Sequence, residues 1–266
     1  MEVDSPIGII DSGAGGLTVV KEMLRRLPQE PIIYIGDNAR CPYGPRPAEE
    51  VKEFTTEMVS KLSDMGIKML IIACNTATAV ALDDIRAQFP FPVVGVIVPG
   101  ARAAVQGSRL GNIAVLGTAG TINSGAYEDA IRGFSTNSVV YPLACPEFVP
   151  IVESGQYHTE YASEVVERTL LPLADVPFDA AILGCTHYPL LQEHIAKHLP
   201  AGVQIISSAV ETVRDVEAIL QEKQLARQSN QPAEPVFYST GEVDAFRLIV
   251  EDWLSIDGPD VRHIVL

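Results

Sequence analysis

The chain of 266 residues lacks any long run of apolar residues, and its amino terminus lacks a basic segment followed by an apolar one. A membrane-spanning helix needs about 20 mostly apolar residues, and a secretion signal needs both of those terminal features. Neither a membrane span nor a signal peptide is therefore expected, and the expected location is the cytoplasm. The length suits one large domain or two of ordinary size.

Basic residues are scarce relative to acidic ones. The sequence contains 19 Lys and Arg against 34 Asp and Glu, which gives a formal net charge of −15. Phosphate backbones and anionic lipid surfaces attract proteins of the opposite charge. Nucleic acid and membranes are therefore not expected as partners.

Cysteines are few and lie far apart in the sequence, at Cys41, Cys74, Cys145 and Cys185. Four cysteines without a close pair indicate free thiols rather than a disulfide framework. No metal site is expected, because Cys185 with His187 has no Cys-x-x-Cys pair to complete a zinc ligand set.

The glycine-rich segment 11–16 lacks the spacing of a nucleotide site. It reads Asp-Ser-Gly-Ala-Gly-Gly, without Gly-x-Gly-x-x-Gly and without a following Gly-Lys-Ser/Thr. A dinucleotide cofactor is therefore not expected. Ser12 or Asp11 could simply cap the next helix, or Asp11 could serve a site at the strand end as an acid, base or orienting group.

One cysteine setting occurs twice, in segments 71–77 and 182–189. Each cysteine closes a short apolar run and precedes polar residues and a helical pattern, which predicts strand, turn and helix. Ligands of open α/β sheets bind at the carboxyl ends of strands, and a helix amino terminus lowers a thiol pKa. A single free cysteine is most often a buried small hydrophobe, but recurrence at two strand ends favours chemistry at Cys74 and Cys185.

Strand and helix patterns alternate along the whole chain, which is typical of βαβ units with mostly parallel sheets. Segment 113–120 also repeats the pattern of segment 7–14, a strand followed by a small polar turn. This pair and the two cysteine segments recur in the same order along the chain, which predicts an internal repeat. We expect two pseudo-symmetric three-layer αβα domains with the site in the cleft between them. The predicted domains are 1–98 plus 208–266 and 99–207, with a crossing near Pro99-Gly100.

Polar residues at the predicted strand ends form a candidate binding site. Helix-start amides flanked by hydroxyls bind anions without Lys or Arg, although capping alone also explains such residues. A proline-rich loop after the second strand would lie over the same crevice, and His187 could exchange a proton with the Cys185 thiol. The candidates are Asn75, Thr76, Thr118, Thr121 and Thr186 at the strand ends and Tyr43 and Gly44 in the loop.

Two thiols facing each other across a cleft suit a reaction that removes a proton from one face of a carbon and returns one to the other. Racemisation or epimerisation is such a reaction. The two related halves of the chain would match the two related faces of a stereocentre.

The chain resembles the glutamate racemases of the aspartate/glutamate racemase superfamily. The resemblance rests on segments spread in order over nearly the whole chain, namely 11–17, 36–44, 73–77, Thr118, 152–155 and 183–189. It implies cofactor-independent interconversion of L- and D-glutamate for bacterial peptidoglycan, in a homodimer.

The resemblance also implies residue roles. Cys74 would take the α-proton of D-glutamate and Cys185 that of L-glutamate, with Asp11 and His187 assisting the thiols and Glu153 supporting them. The substrate would be held by Asp11, Ser12, Tyr43, Gly44, Asn75, Thr76, Thr118, Thr121, Thr186 and His187. Two alternatives stay open: a racemase of aspartate or another acidic amino acid, and a non-catalytic amino-acid-binding protein.

Overall fold

The structure is a computed structural model that describes residues 2–266. Strands and helices alternate along the described residues. The strands are β1 Ile7–Asp11, β2 Ile32–Gly36, β3 Met69–Ile72, β4 Val93–Gly95, β5 Asn112–Gly117, β6 Val139–Ala144, β7 Ala180–Gly184, β8 Gln204–Ser207, β9 Val236–Ser239 and β10 Asp260–His263. The α-helices are α1 Leu17–Arg26, α2 Ala48–Asp64, α3 Asn75–Gln88, α4 Ile97–Gly107, α5 Ala119–Asn123, α6 Ala126–Phe134, α7 Phe148–Glu153, α8 Glu160–Leu170, α9 Gln192–His198, α10 Ser208–Glu222 and α11 Val243–Leu254.

The strands form two parallel sheets, one with the order β10-β9-β2-β1-β3-β4 and one with the order β6-β5-β7-β8. The order β2-β1-β3-β4 in the first sheet corresponds to β6-β5-β7-β8 in the second. The expected α/β fold with two pseudo-symmetric parallel sheets is confirmed. The carboxy-terminal strands β9 and β10 join the first sheet, while the proposed domain boundaries stay a prediction.

Helices cover both faces of each sheet because the strands are apolar on both sides. In the first sheet, Ile9 packs in a core with α1, α10 and α11, and Ile10 packs in another with α2 and α3. In the second sheet, Leu116 faces α7, α8 and α9, and Val115 faces α4 and α6. Two three-layer units result, each held by two buried clusters.

The structure differs from the sequence prediction in a few elements. Pro99 and Gly100 lie inside α4 rather than in an open crossing, because a proline in the first turn removes no helical hydrogen bond. The prediction missed the short helices α5, α6 and α7 and the strand β10. That strand reads Asp-Val-Arg-His, and only its pairing with β9 at the sheet edge makes it a strand.

No helix within residues 2–266 is long and apolar enough to cross a membrane.

Candidate active site

The predicted site residues meet where the carboxyl ends of the two sheets face each other. Asp11 ends β1 and Cys74 follows β3 in the first sheet, while Thr118 follows β5 and Cys185 follows β7 in the second. Because each pair of strands is adjacent and parallel, its terminal side chains lie at one sheet edge. The structure thus brings both cysteine settings to one cleft.

Cys74 is the amino-terminal cap of α3 and is 6% exposed. Its Sγ accepts a hydrogen bond from the Ala77 amide at 3.4 Å, and its thiol donates to Ser12 Oγ at 3.7 Å. Burial and the nearby Asp11 carboxylate raise the pKa of Cys74 to about 12, against the lowering effect of the Ala77 amide and of the Ser12 hydroxyl, which can donate to the thiolate. The prediction of a lowered pKa is therefore wrong for Cys74, because burial outweighs the helix terminus.

Cys185 has a different local structure, although its sequence setting is similar. A short 3₁₀ turn, Tyr188–Leu191, follows it, and α9 begins only at Gln192. Its Sγ lies 3.7 Å from Nδ1 of His187, in a buried position. An imidazole at this distance can exchange a proton with the thiol.

His187 is fixed on its other side by Glu153, the last residue of α7. Nε2 of His187 and Oε1 of Glu153 are 2.5 Å apart. Burial disfavours the charged imidazole, but the hydrogen bonds and negative charge of Cys185 and Glu153 raise the pKa of His187 well above its ordinary value. Burial also opposes ionisation of Glu153, yet the bond and charge of His187 lower its pKa. The two side chains therefore form an imidazolium–carboxylate pair beside Cys185.

Glu153→Gln is expected to lower the pKa of the His187 imidazole, because it removes the charge that favours the imidazolium.

In the unaltered protein the raised pKa of His187 contributes stability that is present below its ordinary value of 6.5 and is lost as pH rises through the folded-state value. The lowered pKa of Glu153 contributes stability that is present above 4.5 and is lost as pH falls through its folded-state value. NMR titration of the His187 ring in the unaltered protein and in Glu153→Gln measures the change in its pKa directly.

Glu147→Gln is the matched control for that titration. Glu147 precedes the same helix α7, where it pairs with the exposed Arg168 rather than with His187. The control is expected to leave the His187 titration unchanged. An unchanged His187 titration in Glu153→Gln would contradict the ion pair.

Asp11 is fully buried at the carboxyl end of β1. Its carboxylate accepts hydrogen bonds from the Gly13 amide at 3.1 Å and from the Thr186 hydroxyl at 3.3 Å. Burial raises the pKa of Asp11, and the His187 charge and the backbone amides partly oppose the increase. Asp11 therefore bonds to the loop of Cys185, while Ser12 is the residue of its segment that contacts Cys74.

Gly15 allows the glycine-rich loop after β1 to approach the loop of Cys185 closely. A Cβ atom at this position would lie 2.3 Å from Thr186 Oγ1 and 2.5 Å from His187 Nδ1, both closer than real contacts permit. The glycine-rich segment thus serves close packing between the halves, in place of the nucleotide binding that its spacing excludes.

Three threonine hydroxyls form a cluster across the cleft. Thr76 Oγ1 lies 2.9 Å from Thr118 Oγ1 and 3.2 Å from Thr121 Oγ1. Next to them the Gly120 amide donates to the carbonyl of Gly44 at 2.8 Å, so the proline-rich loop reaches the second half of the chain. Hydroxyls at helix starts are suited to bind a carboxylate group.

Asn75 and Tyr43 are both buried, but only Asn75 keeps a hydrogen-bond donor that has no partner among the described residues. The Asn75 side-chain oxygen accepts a hydrogen bond from Tyr127, whereas its Nδ2 is buried without a partner among the described residues. The Tyr43 hydroxyl donates to Asp37 at 2.5 Å and thereby braces its loop. The Tyr43 hydroxyl is thus occupied within its own half of the chain, whereas the Gly44 carbonyl bonds across the cleft.

Sequence reasoning missed several neighbours of the site. The sequence gives Cys41 no role beyond that of a free thiol in the proline-rich loop, yet its Sγ lies 4.0 Å from Glu153 Oε1. Tyr127 was overlooked because it lies in a short helix without a motif. Only the tertiary structure brings these side chains to the cleft.

Residues 2–266 contain no group of three or more His, Cys, Asp or Glu side chains placed to hold a metal ion. The sequence does contain one His-x-x-x-His pair that the prediction overlooked, His194 and His198. His194 Nε2 bonds to the Tyr157 carbonyl at 2.9 Å, and His198 Nε2 bonds to Ser163 at 3.0 Å. These contacts give both rings a structural role, since His194 ties α9 to the segment before α8 and His198 ties it to α8 itself.

Residues 7–216 match the family model of Asp/Glu/hydantoin racemases. The chain belongs to this family, which agrees with a cleft that carries both cysteine settings. A glutamate racemase from Lysinibacillus sphaericus (strain C3-41) is 50% identical over 264 residues, which cover 99% of this chain and 100% of the relative.

Solved structures show the same similarity. A glutamate racemase isoform from Bacillus anthracis is 46% identical with a TM-score of 0.95, and the match covers 98% of each chain. The glutamate racemase from Francisella tularensis, solved in complex with D-glutamate, is 34% identical with a TM-score of 0.92, over 99% of this chain and 98% of that one. The resemblance to glutamate racemases is confirmed over the full length.

Proposed function

We propose that this protein interconverts L- and D-glutamate by a two-base mechanism in which Cys74 and Cys185 act on opposite faces of the α-carbon. The observation that carries the proposal is the pair of buried thiols at the carboxyl ends of equivalent strands β3 and β7. The full-length similarity to glutamate racemases supports glutamate as the substrate.

In the direction from L- to D-glutamate, Cys185 removes the α-proton and Cys74 donates a proton to the opposite face. His187, held as an imidazolium by Glu153, donates a hydrogen bond to the Cys185 thiolate that removes the proton. The raised pKa of Cys74 keeps its proton available for this direction. The reverse reaction exchanges the two roles.

The difficult step is removal of a carbon-bound proton by a thiolate, whose reference pKa is only about 8.5. The carbanionic transition state must therefore be stabilised by hydrogen-bond donors that are fixed before reaction. The hydroxyls of Thr76, Thr118 and Thr121 are donors of this kind at the cleft. The segments that carry the site contain no lysine for a Schiff base, so the thiols themselves supply the acid and the base.

Further expectations belong to this proposal. Residues 1–98 with 208–266 and residues 99–207 would form two domains that close over the substrate. The protein would act as a homodimer in the cytoplasm and would supply D-glutamate for peptidoglycan. Size-exclusion chromatography with light scattering measures the oligomeric state.

Incubation with L-glutamate in deuterated water, without added cofactor, tests the proposed reaction. We expect D-glutamate that carries deuterium at the α-carbon, because each proton is delivered by a thiol that exchanges with solvent. If neither D-glutamate nor deuterium at the α-carbon appears, the proposal is wrong. Binding of glutamate without exchange would instead indicate a non-catalytic binding protein.

Aspartate in a parallel reaction distinguishes the nearest alternative. Aspartate is one methylene shorter than glutamate, and one methylene changes kcat/KM by about 10–200-fold in a fitted site. We expect kcat/KM to be higher for glutamate by a factor in this range. A higher kcat/KM for aspartate would identify the other acidic amino acid as the substrate.

A further inference from the structure

Tyr127 lies at the junction of both halves of the site. It is the second residue of α6 and is 1% exposed, with its ring in the core between α4, α6 and the second sheet. A Cβ at Gly184, the residue before Cys185, would lie 3.0 Å from the ring, and one at Gly100 would lie 3.5 Å from the hydroxyl. Two glycines thus make room for this ring beneath the end of β7.

The hydroxyl of Tyr127 crosses to the other half of the chain. It donates a hydrogen bond to Oδ1 of Asn75 at 2.7 Å. Asn75 is the first residue of α3, directly after Cys74, and is only 2% exposed. Since the ring is held in the core beside the second sheet, the second half of the chain fixes the Asn75 amide, which belongs to the first half.

The same hydrogen bond determines which end of the Asn75 amide is held. Oδ1 is occupied by Tyr127, while Nδ2 is buried and has no partner among the described residues. A buried NH₂ group without an acceptor is costly, so this orientation suits an acceptor that enters the cleft. A rotated amide would present its oxygen to that acceptor and repel a carboxylate.

We infer that Tyr127 is a positioning residue for substrate binding, which holds the Asn75 amide with its NH₂ group toward a carboxylate of the substrate. This inference rests on the proposed function, because it takes the acceptor to be glutamate. Tyr127 contacts Asn75 and not the reacting atoms, so it acts on binding through that amide.

Tyr127→Phe is expected to raise KM about tenfold in both directions while kcat changes less than about twofold, since the hydrogen bond serves ground state and transition state alike. A role in stability alone would lower the melting temperature and leave KM unchanged, and that result would overturn the inference. Tyr238→Phe is the matched control, because its hydroxyl bonds to Arg262 away from the cleft.

A double-variant cycle tests whether Tyr127 acts through Asn75. In the Asn75→Ala background, Tyr127→Phe is expected to change kcat/KM less than about twofold, because the amide that it orients is gone. An equal loss in both backgrounds would overturn the inference.

Asn75→Asp covers the case in which Tyr127→Phe does not fold. The carboxylate still accepts from Tyr127 but replaces the NH₂ group with an oxygen, so KM is expected to rise at least about tenfold. An unchanged KM would overturn the inference while the proposed function stands. A wild-type protein that does not racemise glutamate would overturn both.

Discussion

Cys74→Ala and Cys185→Ala are each expected to lower the rate of glutamate racemisation by about 10³-fold or more. A loss of this size matches or exceeds the rate factor that a positioned acid or base usually contributes. Racemisation needs proton removal on one face and proton delivery on the other, so the loss of either thiol stops the full reaction. Racemisation followed by circular dichroism measures the loss. Substantial retained turnover in either variant would exclude the two-base scheme.

The two variants are expected to differ in the exchange that remains. Cys74→Ala keeps Cys185, so the α-proton of L-glutamate should still exchange with deuterated water without inversion. Cys185→Ala should show the same behaviour with D-glutamate. The opposite pattern would show that the two cysteines serve the opposite enantiomers.

Cys145→Ala is the matched control for both variants. Cys145 is also a buried free thiol after a strand of the second sheet, but its Sγ bonds to the carbonyl of Leu143 at 3.6 Å within a hydrophobic cluster. It is expected to retain racemisation. Loss of activity in this variant as well would indicate general damage to the second half.

The second large effect is expected on stability, from a buried ion pair outside the site. Lys68 and Glu30 are both fully buried, with Nζ of Lys68 2.6 Å from Oε2 of Glu30. Nζ also donates to the carbonyls of Val3 and Leu225, and Glu30 accepts from the Arg227 amide. The pair therefore joins the amino-terminal segment to the chain that follows α10.

Lys68→Met is expected to lower the free energy of unfolding by about 3–5 kcal/mol, because it leaves the Glu30 carboxylate buried without its cation. Urea titration followed by circular dichroism measures the change. Activity below the transition should persist, since Lys68 precedes β3 and Cys74 follows it, at opposite ends of the strand.

Two companion variants separate the charge from the packing. The double change Lys68→Met with Glu30→Met is expected to recover much of the loss, because no unpaired charge remains. Arg132→Met removes an exposed pair with Asp129 and is expected to cost less than about 1 kcal/mol. Failure of the double variant to recover stability would assign the loss to packing.

The sequence predicted the secondary structure best where the signal was local. The apolar runs of β1, β3, β5 and β7 and the helices α1, α2, α3 and α8 between them were found, because strand and helix periods are visible in single segments. α4 was missed because Pro99 and Gly100 imitate a break, and β10 was missed because its residues are mostly polar. Both elements depend on packing against neighbours that are distant in the sequence.

The cysteine pair shows the same division in the candidate site. Residue types after the strands predicted that Cys74 and Cys185 each lie at a strand end, and the internal repeat predicted that the two strand ends share a cleft. The pKa of Cys74, the pairing of His187 with Glu153 and the hold of Tyr127 on Asn75 could not be predicted in this way. Burial and contacts between distant segments set these properties, and such quantities exist only once the chain has folded.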